Sequence, residues 1–126
     1  MRDFLAVAIG GAIGATARYA TYLLVARWLG GGYPYATLIV NVVGSMIMGA
    51  LVEVMALAWQ PSAHVRILLV VGILGAFTTF STFSLDVASL WERGQHGLTA
   101  LYVGASVTLS VGAFFAGLAI VRRVLP

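Results

Sequence analysis

A run of hydroxyl side chains interrupts a strongly apolar part of this chain. Residues 67–77 are all apolar or glycine, and they lead directly into Thr78-Thr79-Phe80-Ser81-Thr82-Phe83-Ser84. In hydrocarbon every backbone N–H and C=O needs a protein partner, so a polar interruption is tolerated only where it is buried in protein or lines a polar cavity. The sequence therefore predicts a membrane helix that is broken beside a polar cavity, and such a cavity indicates transport.

Four segments are apolar and long enough to cross a bilayer, for which about 20 residues suffice. They cover residues 4–29, 36–59, 65–91 and 98–121, and short loops rich in glycine, proline and polar residues join them. The chain is 61% hydrophobic and 9% charged, a composition typical of integral membrane proteins. We therefore predict an all-α membrane protein in which residues 1–126 form a single domain of four transmembrane helices, the third broken near the midplane.

The charged residues favour neither orientation in the membrane strongly. The 7 basic residues are all arginines, and 4 acidic residues leave a net charge of +3. The side that holds both termini has Arg2, Arg66, Arg122 and Arg123, and the other side has Arg27 and Arg93. The positive-inside rule counts such residues, and this difference is small. Either the termini face the cytoplasm or the chain inserts both ways; no nucleic-acid partner is indicated.

So short a chain leaves little interior for a pathway once its four helices have packed, and this favours an oligomer. Glycines recur in every segment, as in Gly10-x-x-x-Gly14, and allow helices to approach closely. Packing within one subunit would explain them equally well.

Two polar side chains inside the predicted spans are candidates for a transport pathway. Arg18 lies on the same helical face as Gly10 and Gly14, so it points toward protein, where a buried charge usually marks an ion path. Alternatively, it reaches toward the Trp28 end of the helix, roughly 15 Å away. Asn41 is the only amide within the spans, and it either joins helices or lines the pathway.

Hydroxyl and aromatic residues supply further candidates. Tyr102, Ser106 and Ser110 repeat every four residues along one face of the last segment, although a serine can also bond to its own helix. Phe80 and Phe83, three residues apart, are either ordinary core or rings whose electropositive edges face a small anion. No constellation typical of an enzyme occurs, since both histidines fall in predicted loops.

Four motifs together resemble the Fluc family of fluoride channels, also called CrcB-like proteins, and the match covers all four segments in order. They are Gly10-Gly11-x-x-Gly14-x-x-x-Arg18, Thr37-Leu38-x-x-Asn41-x-x-Gly44, Gly75-Ala76-Phe77-Thr78-Thr79-Phe80-Ser81-Thr82-Phe83-Ser84 and Tyr102-x-Gly104-x-Ser106. The Thr-Thr-Phe-Ser-Thr-Phe run is highly specific, whereas the glycine and serine spacings are weak singly.

The resemblance implies an antiparallel, dual-topology homodimer with two fluoride pores, which passively exports cytoplasmic fluoride across the inner cell membrane. It implies a structural sodium ion at the dimer interface, bound by the backbone carbonyls of Gly75 and Thr78, and a vestibule arginine at Arg18. The implied fluoride pathway comprises Asn41, Phe80, Phe83, Thr82, Tyr102, Ser106 and Ser110. One departure is Asp86, where the family often has glutamate, and this puts any gating or relay role of that carboxylate in doubt.

The alternative is a small multidrug-resistance transporter, which is also four-helical and dimeric but couples cations to protons. Such a protein needs a carboxylate in the first helix. This chain has Arg18 there, which carries the opposite charge.

Overall fold

Residues 1–125 are described by a computed structural model, and within this range the regular structure is entirely helical. Four helical stretches are long and apolar enough to cross a membrane, which confirms the predicted class: Arg2–Leu29, Tyr35–Leu57, Ala63–Glu92 and His96–Val124. We number the helices α1 (Arg2–Leu29), α2 (Tyr35–Leu57), α3 (residues 63–77), α4 (Phe80–Glu92) and α5 (His96–Val124).

Turn residues end the helices where the sequence places them. Gly30 adopts φ +74°, which a residue with a Cβ rarely adopts, and its N–H caps α1 by donating to Ala26. Gly94 has the same φ and turns the chain between α4 and α5. At the opposite end of the bundle, the Ser62 hydroxyl accepts from the Val65 N–H at the start of α3.

The helices pack as two pairs, α1 against α3 and α2 against α5. Glycines make both contacts close. A Cβ on Gly10 would lie 2.8 Å from the Gly72 Cα, and one on Gly49 would overlap the carbonyl of Phe114. These glycines therefore serve packing within one subunit, whereas a Cβ on Gly112 would meet no atom within 4 Å.

One side-chain contact joins the helices of each pair at the end of the bundle that holds the termini. Glu53 of α2 is buried, and its carboxylate accepts from Arg122 of α5 at 2.6 Å and 3.3 Å. Asp3 of α1 pairs with His64 of α3 at 2.5 Å on the surface. Because a buried carboxylate is costly without a partner, Arg122 accounts for the presence of Glu53 inside a span.

The third membrane segment is interrupted at its centre. Its first half contains wider, π-helical turns over Ile67–Leu74. Thr78 (φ −81°, ψ 157°) and Thr79 (φ −153°, ψ 117°) then adopt extended backbone, and α4 begins at Phe80. The break thus lies a few residues after the glycines of this segment, inside the hydroxyl cluster.

Candidate functional site

The side chain of Asn41 holds the break in the third segment. Its Oδ1 accepts from the Thr79 N–H at 2.8 Å, and its Nδ2 donates to the Thr79 carbonyl at 3.0 Å. One amide thus satisfies both backbone groups of Thr79, which is 6% exposed. The structure therefore gives Asn41 a role in joining helices, and this role leaves its second Nδ2 hydrogen for another acceptor.

Thr79 also begins α4. Its Oγ1 accepts from the Thr82 N–H at 3.1 Å, the geometry of a helix N-cap, and contacts the Thr82 hydroxyl at 3.1 Å. We did not single out Thr79 from the sequence. A hydroxyl residue directly before a resumed helical pattern is the signal that could have identified it.

The break releases two backbone carbonyls from helical hydrogen bonds. In a continuous helix, Thr79 would donate to the carbonyl of Gly75, and Thr82 would donate to that of Thr78. Here both N–H groups bond to side chains instead. The two released carbonyls belong to the residues that the family resemblance assigns to the sodium ion. Residues 1–125 contain no cluster of three or more His, Cys, Asp or Glu residues suited to a metal.

A cavity of about 340 Å³ adjoins the break and lies between α2, α4 and α5. It brings together five residues of the predicted pathway: Asn41, Phe80, Phe83, Ser106 and Ser110. None of its lining residues is charged; the others are Gly44, Ser45, Met48, Thr78, Thr79, Val107, Val111 and Phe114.

Two hydroxyls in this cavity lack protein partners. The Oγ atoms of Ser106 and Ser110 are buried and form no hydrogen bond with any group of residues 1–125. A buried polar atom without a partner is uncommon and usually marks a ligand or water position. The cavity is therefore suited to a small species that accepts hydrogen bonds.

The two phenylalanines of the site differ in exposure. Their ring centroids lie 5.4 Å apart at 43°. Phe83 is 8% exposed and belongs to the core, whereas Phe80 is 79% exposed at the surface of the subunit. A second molecule or lipid must cover Phe80 in a membrane, so this end of the cavity is completed from outside the chain.

Three residues of the predicted pathway and vestibule lie outside the cavity lining. Tyr102 is fully buried next to it, and its hydroxyl donates to Asp86 at 2.9 Å. Thr82 contacts Thr79 at the cap of α4. Arg18 is half-buried on α1 and makes no salt bridge within the described part of the chain.

Comparisons with known proteins give a consistent result. The family described as "CrcB-like protein, Camphor Resistance (CrcB)" matches residues 5–118. The chain is 57% identical over 122 residues to the fluoride-specific ion channel FluC of Rhodospirillum centenum, covering 97% of each chain. It is 49% identical to the protein of the same name from Agrobacterium fabrum, covering 98% of each, and 50% identical to that from Chelativorans sp., covering 99% of this chain and 100% of that one.

Proposed function

The chain belongs to the CrcB-like family, and we propose that it is a fluoride-selective ion channel through which cytoplasmic fluoride leaves the cell passively. The observation that carries the proposal is the near full-length similarity to proteins named fluoride-specific ion channels, 57% identical in the first case. The cavity at the helix break supplies a physical basis. The names of the relatives support a channel rather than an enzyme, and they do not support the proton-coupled multidrug transporter.

Fluoride is a small, strongly hydrated anion, so a selective pathway must replace its water with hydrogen-bond donors. The cavity offers the unpaired hydroxyls of Ser106 and Ser110. The second Nδ2 hydrogen of Asn41 and the electropositive ring edges of Phe80 and Phe83 add further donors. Because the lining is neutral, no fixed positive charge would hold the ion too tightly to leave.

Tyr102, Thr82 and Arg18 belong to the proposed pathway at positions beyond the cavity. Tyr102 continues the row of Ser106 and Ser110 along α5, one turn closer to the N-terminal end of that helix. An anion that reaches its hydroxyl must replace Asp86 as the acceptor. Arg18 would act in a vestibule, where a cation attracts anions without binding them at a constriction.

We propose that two copies assemble as an antiparallel homodimer in the inner cell membrane, with the break near the midplane. The exposed ring of Phe80 and the near balance of flanking arginines support this arrangement. The break also falls midway along the stretch Ala63–Glu92, as a midplane position requires.

A structural sodium ion fits the break. The carbonyls of Gly75 and Thr78 have lost their helical donors, and oxygen atoms of unwound backbone are suitable ligands for Na⁺ in membrane proteins. When bound, the ion would supply positive charge that offsets the negative ends of these carbonyl dipoles.

The direct test is ion efflux from liposomes that contain the purified protein. We expect fluoride to leave and chloride to remain, because the hydrogen-bond donors of the cavity replace the water of a small, strongly hydrated anion. Comparable chloride efflux, or no fluoride efflux, would contradict the proposal.

The orientation test uses the small arginine bias. Lysines added after the C-terminus of one copy and within the Gly30–Gly32 loop of another should fix the two copies in opposite orientations. We expect each alone to be inactive and co-expression to restore efflux. Full activity of either alone would exclude the antiparallel dimer.

A further inference from the structure

The loop between α1 and α2 places one aromatic ring over the end of the hydroxyl row. Gly30, Gly31 and Gly32 lie on the surface, and a Cβ on any of them would meet no atom within 4 Å. Tyr33 follows, and its half-buried ring packs on the core cluster of Phe83, Leu90 and Tyr102. The loop is thus joined to the bundle through Tyr33, which also contacts the ring of Tyr35 at 4.7 Å, while its three glycines have open space around them.

Tyr33 meets the residue at which the cavity ends. Its ring stands edge-on to that of Tyr102, at 89° with the centroids 5.7 Å apart. On its other side, Tyr102 stacks on Phe83 at 5.3 Å, and Phe83 lines the cavity. An aromatic series therefore leads from the cavity wall through Tyr102 to the loop surface.

The hydroxyl end of Tyr102 is also covered by other side chains. Its hydroxyl donates to Asp86, and the neighbouring hydroxyls of Tyr22 and Thr37 bond to each other at 2.7 Å. Tyr102 is 0% exposed and Thr37 is 2% exposed. An ion that moves along the row from Ser110 and Ser106 therefore meets no open route to solvent at Tyr102.

Of the groups that cover Tyr102, Tyr33 is the one in a loop; Asp86, Phe83, Tyr22 and Thr37 all lie on helices. The three preceding glycines allow the loop backbone to move at low steric cost. Burial, and secondarily the adjacent Tyr35, raises the pKa of the Tyr33 hydroxyl above its usual value, so this residue is neutral at physiological pH and does not repel an anion by charge.

We propose that Tyr33 is a movable lid that closes the loop-side end of the ion pathway at Tyr102 and must swing aside for each passage. The inference rests on the proposed fluoride channel function. It assigns Tyr33 a role in the rate of permeation rather than in ion selection, because the donors that distinguish anions lie further inside, at Ser106 and Ser110.

Tyr33→Ala tests the lid in fluoride efflux from liposomes, with chloride as the second ion. We expect the initial fluoride rate to rise several-fold while chloride remains inside. The matched control is Tyr19→Ala, the same change at an exposed tyrosine of α1, and we expect it to leave the rate unchanged. Tyr33→Phe should also behave as wild type, since the ring and not the hydroxyl covers Tyr102.

A second variant tests whether a raised rate comes from loss of the ring or from a general loosening of the fold. The chain has no cysteine, so Tyr33→Cys introduces the only thiol. We expect its raised rate to fall back when a benzyl thiosulfonate restores an aromatic ring at this position, and to rise again after reduction. A methyl thiosulfonate should have no such effect.

The outcomes separate the lid from the channel itself. Wild-type efflux together with an unchanged or lowered rate in folded Tyr33→Ala would overturn the lid and leave the channel standing. No rescue by the benzyl group would also overturn it. Absence of fluoride efflux from the wild type would overturn both proposals.

Discussion

The strongest prediction concerns Asn41, whose side-chain oxygen is the partner of the buried Thr79 N–H. Asn41→Ala would leave the Thr79 N–H without a partner at a position that is 6% exposed, whereas the Thr79 C=O, as that of an N-cap residue, keeps the first helical hydrogen bond of α4. A buried, unpaired N–H costs about 1–3 kcal/mol, so the free energy of unfolding should fall by about this amount. Fluoride efflux should also fall, because the break that shapes the cavity would no longer be held.

Asn41→Asp separates the structural role from the role in the pathway. The carboxylate can still accept from the Thr79 N–H, although it cannot donate to the Thr79 carbonyl. The loss of stability should therefore be smaller than for Asn41→Ala. Efflux should nevertheless be abolished, because a negative charge would face the anion across the cavity.

The assay is reversible unfolding in mixed micelles, followed by circular dichroism, together with fluoride efflux on the same preparations. The control is Ser45→Ala, which changes a neighbouring residue of the same cavity and should alter stability by less than about 0.5 kcal/mol. If Asn41→Ala kept the stability and the efflux of the wild type, the reasoning about the break would be refuted.

Four further predictions concern packing, the helix cap, the rings and the cation. Gly10→Ala should lower stability by about 1–3 kcal/mol, since its Cβ would meet α3 backbone, whereas Gly11→Ala, which faces open space, should not; equal melting curves would contradict this. Thr79→Ala should cost about 1 kcal/mol of unfolding free energy through loss of the cap, and Thr79→Ser should retain it. Phe83→Ile should lower both stability and efflux, and Phe80→Ile efflux alone; normal efflux in both would show that the rings are only packing. Exchange of sodium for N-methyl-D-glucamine should lower the melting temperature of the purified protein, because a ligand of the folded state stabilises it, and an unchanged temperature would argue against a bound ion.

Much of the fold followed from the sequence because bilayer thickness constrains it directly. The predicted spans 36–59 and 98–121 differ from the helices Tyr35–Leu57 and His96–Val124 by a few residues at their ends. Length and apolarity suffice for such a prediction. The interruption of the third segment could also be predicted, since several hydroxyl residues rarely lie together within an apolar span without a structural reason.

The sequence also identified most of the candidate site, because its residues are polar where polarity is costly. Asn41, Ser106 and Ser110 stood out as polar groups in apolar helices, and all three line one cavity. Phe80 and Phe83 stood out through the motif around them. The sequence could not rank the two rings by burial, because residues three apart share a helical face only approximately.

Only the tertiary structure decided which groups meet across helices. Asn41 bonds to Thr79, which is 38 residues away, because α2 packs beside the break. Tyr102 of α5 bonds to Asp86 because α4 packs against α5, and it lies beneath Tyr33 because the loop between α1 and α2 covers it. Hydropathy and helical period determine what a segment is and which face it buries, but they carry no information on the partner, which is selected by side-chain shape and by the need of each buried polar group for a bond.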